Sequence, residues 1–248
     1  MTRPVPRDLV IVGAGGFARE TAATVRALAD RWRLLGFLDD DPTLHGRSLG
    51  GVPVLGGTDR LAGLPAVGVV VCTGNPGDYG SRARIVRRLG LPAGRYATIT
   101  HPSADVGTGC VVGPGTVVLT QAVLTVDVQV GAHVAVMPQV VLTHDTVVGD
   151  FVTIASGARL GGGVRLERGC YIGAGAMVRE GLTVGAGSLV GMGSVVIRDV
   201  PPGQVRAGNP ARFRRAADPA ESAADPGEPV GDLGEPVHSA EKQGSIHR

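Results

Sequence analysis

The 248-residue chain has few cysteines, no dominant sign of charge and no long apolar run. Three cysteines build no disulfide framework, which fits a reducing compartment. Cys110 and Cys170 fall on the small, inward phase of a repeat described below, and Cys72 ends the run Val69–Val71. With no histidine beside any of them, all three read as core filler rather than nucleophiles. A formal net charge of +2, with arginines scattered rather than striped, leaves no electrostatic footprint for nucleic acid. The cluster Arg82, Arg84, Arg87 and Arg88 has helical spacing and reads as a solvated face. Nothing approaches the roughly eighteen apolar residues of a membrane span, and Met1 to Leu9 leads into a strand rather than a leader. The expectation is a cytoplasmic protein with neither a membrane nor a nucleic acid as partner.

What the chain does have is a period of six. An aliphatic residue recurs at every sixth position from Val106 to Val196, through Val118, Leu124, Leu142, Ile154, Leu160 and Ile172. The residue two before each is small or β-branched in nearly every case, as in Ala104, Thr116, Ala122, Val128, Ala158 and Ser188. A helix repeats at 3.6 and a plain strand at 2, so neither generates a strict six. A short strand plus a corner does, and three such sides close a triangular coil, a parallel β-helix. Stacked neighbours then lie three hexads apart. So slim a column has a thin core against the entropy of ordering it, so burial against neighbouring copies is expected, and its threefold shape points to a homotrimer.

Residues before the coil have another texture. Leu9–Val12 reads as a strand, Gly13-Ala-Gly-Gly16 opens a helix from Phe17 to Ala29, and Leu34–Leu38 is a second strand ending in Asp39, Asp40 and Asp41. Val67–Cys72 is a third strand, followed by Thr73-Gly-Asn-Pro-Gly77 and a helix through Leu89. This is a small α/β domain with a parallel sheet, a Rossmann-like βαβ unit. The reading divides the chain into a Rossmann-like domain at 1–95, a β-helix at 96–200, a cap at 201–215 folding back over the last coil, and a tail at 216–248. The tail, rich in Pro, Gly, Ala and acid, is expected to be disordered.

Two motifs point to chemistry. Gly13, Gly15 and Gly16 at a strand-to-helix turn let a ligand approach backbone amides, and Asp39 stands where an acid can bond a sugar or base hydroxyl. The α/β segment from Asp8 to Gly94 has fewer than ninety residues, room for half a dinucleotide fold, so a mononucleotide or nucleotide-sugar fits better than NAD. In the coil, His144 projects outward near a corner beside Asp145, and Gly161, Gly162 and Gly163 remove side chains one coil along, leaving a notch. An imidazole accepts a proton near neutrality, and a neighbouring carboxylate can orient it. A surface His–Asp pair without duty is the plain alternative. His101 and His133 share neither phase nor spacing with His144, so no metal site is expected.

Val12 to Glu20, Gly36-Phe-Leu-Asp-Asp40, Thr143 to Phe151 and Ala207-Gly-Asn-Pro-Ala211 together resemble the sugar O- and N-acyltransferases of the NeuD/PglD type, over roughly Asp8 to Arg215. The resemblance implies a left-handed β-helix in a homotrimer and acetyl-CoA-dependent acetylation of the amino group of a nucleotide-linked amino sugar. His144 would be the general base and Asp145 its orienting acid. Gly13, Gly15, Gly16 and Asp39 would hold the acceptor's nucleotide, and Gly162, Ala174, Gly191 and Met192 would contact acetyl-CoA. The family often carries a second histidine nine residues after the base, near the thioester; here Thr153 stands, a hydroxyl that can donate. Acetylation of a sugar or sialic-acid hydroxyl, or a sugar-binding β-helix without turnover, are the alternatives.

Overall fold

The computed structural model describes residues 5–222. Its first part is a five-stranded sheet in the order β3-β4-β2-β1-β5, from β1 (Arg7–Val12), β2 (Trp32–Leu38), β3 (Ser48–Leu49), β4 (Val52–Gly56) and β5 (Gly68–Val71). β1, β2, β4 and β5 pair in parallel, and β3 turns back antiparallel on β4 through Gly50 and Gly51, both at positive φ. That edge hairpin is an addition to the parallel sheet expected from sequence, because its strands are short and broken by Gly and Pro. α1 (Gly16–Arg26) buries Ala18, Thr21, Ala22 and Val25, one stripe at helical spacing, against one face of the sheet. It ends three residues before the expected Ala29. α2 (Ser81–Leu89) covers the other face, where Ile85, Val86 and Leu89 pack on Val10, Val12, Val69 and Val71.

From β6 (Ile99–Thr100) the chain winds. Sixteen two-residue strands follow, β7 (Asp105–Val106) to β22 (Val195–Val196), one per hexad. Each pairs in parallel with the strand eighteen residues away, as Val123 does with Val141 and Arg159 with Met177. These sixteen sort into three flat sides of six, five and five, the last widened to eight by β6 and by two strands that follow the coil, and together form a left-handed parallel β-helix. Both repeat phases point inward: Val118, Leu124, Leu142 and Ile154 are fully enclosed, and so are Ala122, Val128, Thr116 and Ser188 between them. The first coil is the exception, with Val106 at 38 % exposure, because no coil stacks above it.

The corners turn at a phase the aliphatic period does not mark. Three residues after each inward aliphatic from Val106 to Val190 the backbone is left-handed: Gly109 and Gly115, then Gln121, Asp127, His133, Gln139, Asp145 and Phe151, then glycine from Gly157 to Gly193. Glycine takes that conformation freely, whereas a residue with Cβ pays about 1–2 kcal/mol.

After the last coil the chain reverses direction. β23 (Gln204–Ala207) extends the eight-stranded side in parallel, β24 (Arg212–Ala216) returns antiparallel to it, and Ala211 joins the coil's core. The tail expectation fails at its beginning. Residues 219–222 form a short helix, α3 (Pro219–Ser222), whose Glu221 carbonyl accepts from Gly80 N–H at 2.7 Å and whose carboxylate pairs with Arg215 at 2.9 Å. The rest of the tail lies outside the described residues.

The eight-stranded side is where the two parts meet. Val117, Ile99 and Leu119 share a core with Ala18, Ala22 and Phe37, while Tyr79 packs on Leu189 and Val205 and donates its hydroxyl to the Gly187 carbonyl at 2.8 Å. One arginine contradicts the solvated-face reading of the α2 cluster. Arg82 is 1 % exposed, because docking on the coil covers the start of α2, whereas Arg84 and Arg88 keep to the surface and pair with Asp78 and Asp40.

Candidate active site

Leu142 points into the core, so the chain must leave the side at Thr143 and turn at Asp145. The Thr143 hydroxyl donates to the Leu160 carbonyl at 2.8 Å, Asp145 N–H to the Val126 carbonyl at 3.1 Å, and the His144 carbonyl accepts from Gly163 N–H at 2.8 Å. The backbone around His144 is therefore fixed to the coils on both sides. Asp145 takes φ of 59°, and its carboxylate meets His144 Nδ1 at 2.8 Å. With the carboxylate on Nδ1, that nitrogen carries the proton and Nε2 is left as the free acceptor. The two side chains are 67 % and 62 % exposed, so solvent screens the pair in the single chain.

The notch is real in origin but not empty. A Cβ on Gly162 would lie 2.4 Å from His144 Cε1 and 2.5 Å from Nε2, so the imidazole lies over the bare backbone of Gly162 and occupies the gap. The neighbouring glycines do other work: Gly161 makes room for the backbone of Glu180, and Gly163 forms the next corner at φ of 68°.

The acceptor motif comes together as a unit. Asp39 accepts from the Ala14 N–H at 2.8 Å and the Asp41 N–H at 3.0 Å, which ties the end of β2 to the glycine turn. Gly13 serves packing, since a Cβ there would sit 2.9 Å from the Cys72 carbonyl oxygen, while Gly15 and Gly16 face open space at an α1 N-terminus with no side-chain cap and no acid in its first turn. Those amides remain open to an anion. Asp40 is spent on Thr58 and Arg88, which hold its carboxyl below the usual carboxylate range, the Thr58 N–H foremost.

Ala174, Gly191 and Met192 gather at a different corner from His144. They follow strands of the eight-stranded side, whereas His144 follows a strand of the six-stranded side. There Gly193 N–H donates to the Ala174 carbonyl at 2.8 Å, a Cβ on Gly173 would strike Gly191 and the Met192 amide, and the Met192 side chain is 77 % exposed. This is a second strip where backbone packs directly on backbone. Thr153 is elsewhere again, buried on the docked side with its hydroxyl oxygen accepting from Arg82 at 2.8 Å. Within one chain, then, these corners stay apart.

Sequence reasoning missed the junction around Arg82 and His133. His133 is 6 % exposed, stacks on Phe151 at 5.0 Å and meets Tyr96 edge-on at 4.5 Å. Burial, then the nearby Arg82, push its pKa down to about 4, so it is neutral at physiological pH. The signal available was its corner phase, occupied by His where glycine is easier. Among the described residues no group of three or more His, Cys, Asp or Glu is arranged to hold a metal, and no helix is long and apolar enough to cross a membrane.

Residues 8–89 match the PglD N-terminal domain family, and residues 127–162 the bacterial transferase hexapeptide family of six repeats. The structure is similar to the acetyltransferase domain of PglB from Neisseria gonorrhoeae FA1090, with 32 % identity, a TM-score of 0.76, and coverage of 84 % of this chain and 100 % of that one. The chain belongs to the PglD-type family of hexapeptide-repeat sugar acetyltransferases. The same PglB domain in complex with acetyl coenzyme A is matched at 31 % identity and TM-score 0.73, over 85 % of this chain and 100 % of that one. PerB from Caulobacter crescentus, in complex with CoA and GDP-perosamine, is matched at 27 % identity and TM-score 0.67, over 84 % and 97 %. UDP-N-acetylbacillosamine N-acetyltransferase of Bacillus subtilis (strain 168) is 34 % identical over 115 residues, 46 % of this chain; the match spans about half, 51 %, of that relative.

Proposed function

We propose that this protein transfers the acetyl group of acetyl-CoA to the amino group of a nucleotide-linked amino sugar, with His144 as general base. The observation that carries the reading is the His144–Asp145 pair: an imidazole bonded through Nδ1 at 2.8 Å and lying over a side-chain-free coil, with Nε2 free. In this reading the acceptor's nucleotide lies against Gly15, Gly16 and Asp39, while acetyl-CoA runs along the corner at Ala174, Gly191 and Met192 of one column and reaches Gly162 at the His144 corner of its neighbour. Thr153 supplies at most the proton of a hydroxyl already engaged by Arg82. The acceptor's neutral amine attacks the thioester carbonyl, Nε2 takes the proton the nitrogen sheds, and the tetrahedral intermediate collapses with loss of the CoA thiolate, which recovers a proton to leave as the thiol. No acyl-enzyme is needed, since holding both substrates in one site supplies most of the gain.

The corners that must cooperate lie on different edges of one column, so the reading includes a homotrimer in which neighbouring columns complete each site. Outward apolar residues on the sides left uncovered by the first domain, Val111 at 54 % and Met177 at 46 % exposure, support it. Incubating the protein with acetyl-CoA and a panel of nucleotide-linked amino sugars should release free thiol, and the product should gain an acetamide by mass spectrometry. Thiol release only with hydroxyl acceptors would move the assignment to O-acetylation, and binding without release would make this a scaffold.

A further inference from the structure

Arg82 has no part in that proton transfer, yet its charge is enclosed at 1 % exposure. Its Nε–H donates to the His133 carbonyl at 2.6 Å. One terminal nitrogen donates to the Thr73 carbonyl at 2.7 Å, and the other to the Phe151 and Val152 carbonyls at 3.0 and 3.1 Å and to the Thr153 hydroxyl at 2.8 Å. One guanidinium thus ties the loop after β5 to successive coils. Every one of these partners is neutral, and among the described residues no carboxylate pairs with it. Burial lowers its pKa to about 10, which still leaves it charged at neutral pH. A buried cation without a counter-ion is costly, and packing alone would be better served by an apolar side chain.

The loop it holds explains the cost. In a planar trans peptide the C=O and the following N–H point in opposite directions, so drawing the Thr73 carbonyl inward turns the Gly74 N–H outward. Gly74 sits at φ of +132°, and a Cβ there would come 3.2 Å from Arg82 Nη1, so glycine is what lets loop and guanidinium meet. The amides of Thr73, Gly74 and Asn75 donate to nothing among the described residues. This loop lies against the first glycine turn, where a Cβ on Gly13 would touch Thr73 Cγ2 at 3.0 Å. Two sets of unpaired backbone donors therefore stand side by side, with a positive charge behind one of them.

We propose that Arg82 is a positioning residue for the acceptor: it holds the Thr73–Asn75 loop with its amides turned toward the diphosphate of the nucleotide-linked sugar and sets its own unpaired charge behind them. This rests on the acceptor reading above. The test is calorimetric titration of the full-length protein with UDP, GDP and dTDP, and separately with acetyl-CoA, for wild type, Arg82→Met, Arg82→Lys and Gly74→Ala. Wild type should bind at least one diphosphate. Arg82→Met should weaken that diphosphate by about tenfold to a hundredfold with acetyl-CoA affinity unchanged, and Arg82→Lys should recover part of the loss, since an ammonium keeps the charge but not the fork. Equal diphosphate binding by Arg82→Met and wild type, or a parallel loss of acetyl-CoA, overturns the proposal. If Arg82→Met does not fold, Gly74→Ala decides by the same comparison, a selective loss supporting it and a parallel or absent loss overturning it. Acetyl-CoA binding by wild type without any diphosphate binding overturns the acceptor reading itself, and this proposal with it.

Discussion

Between Gln121 and Phe151 six successive corners hold a side chain in left-handed backbone, whereas from Gly157 to Gly193 seven successive corners hold glycine. The later stretch turns at no conformational cost and presents bare backbone. In the earlier one each corner carries strain of about 1–2 kcal/mol, and its side chains have tasks. Asp145 bonds His144; His133 and Phe151 stack at the junction with the first domain; Gln139 donates to Gln121 at 3.1 Å along one edge. Three of the six, His133, Asp145 and Phe151, lie where the coil meets either the proposed chemistry or its neighbouring domain.

The largest expected effect falls at the earlier stretch. Replacing His144 by Ala should lower turnover by about two to four orders of magnitude in the thiol-release assay while the melting temperature holds, because the side chain is largely solvent-exposed. A near-normal rate would remove it from the mechanism. Next comes its bare neighbour: Gly162→Ala puts a methyl 2.4 Å from Cε1, displaces the ring, and should cost on the order of a hundredfold in kcat with the coil intact. Asp145→Asn keeps a residue that tolerates left-handed backbone but offers Nδ1 a donor, which moves the imidazole proton to Nε2; turnover should fall on the order of tenfold or more, and an unchanged rate would show that the acid does not orient the ring.

The same comparison predicts opposite signs for stability. Gly175→Ala, at φ of 65° with open space around it, should lose about 1–2 kcal/mol in denaturant unfolding, and Gln139→Gly should recover up to about 1 kcal/mol; equal effects would deny that the earlier corners are strained. Smallest at neutrality is the effect of His133. Its folded pKa is depressed to about 4 from 6.5, so the unfolded chain takes up the proton first. Stability is complete above about pH 6.5 and falls as pH drops toward 4, and His133→Phe should flatten that limb in thermal melts across pH.

Much of the column was legible because its repeat leaves no choice. An aliphatic residue at every sixth position has one geometry that buries all of them, and the eighteen-residue spacing then put Gly162 beside His144. Not all the left-handed corners were legible, because Gln121, Gln139 and Phe151 carry no preference for positive φ; the stacked coils impose it. The notch was legible as missing side chains, but not as a space the imidazole itself fills. Arg82 misled outright, since a charged residue among three other arginines at helical spacing has every local reason to face water.

By itself, the sequence determined the six-residue period, the glycine turn with its acid, and which histidine stands next to a carboxylate, because each rests on neighbours in the chain or on a strict repeat. The tertiary structure alone decided that Arg82 and His133 are enclosed and that Thr153 faces the docked domain rather than the His144 corner. Burial of a charge depends on whether carbonyls from distant segments converge on it, and those of Thr73, His133, Phe151 and Val152 meet only once the first domain has settled on the coil.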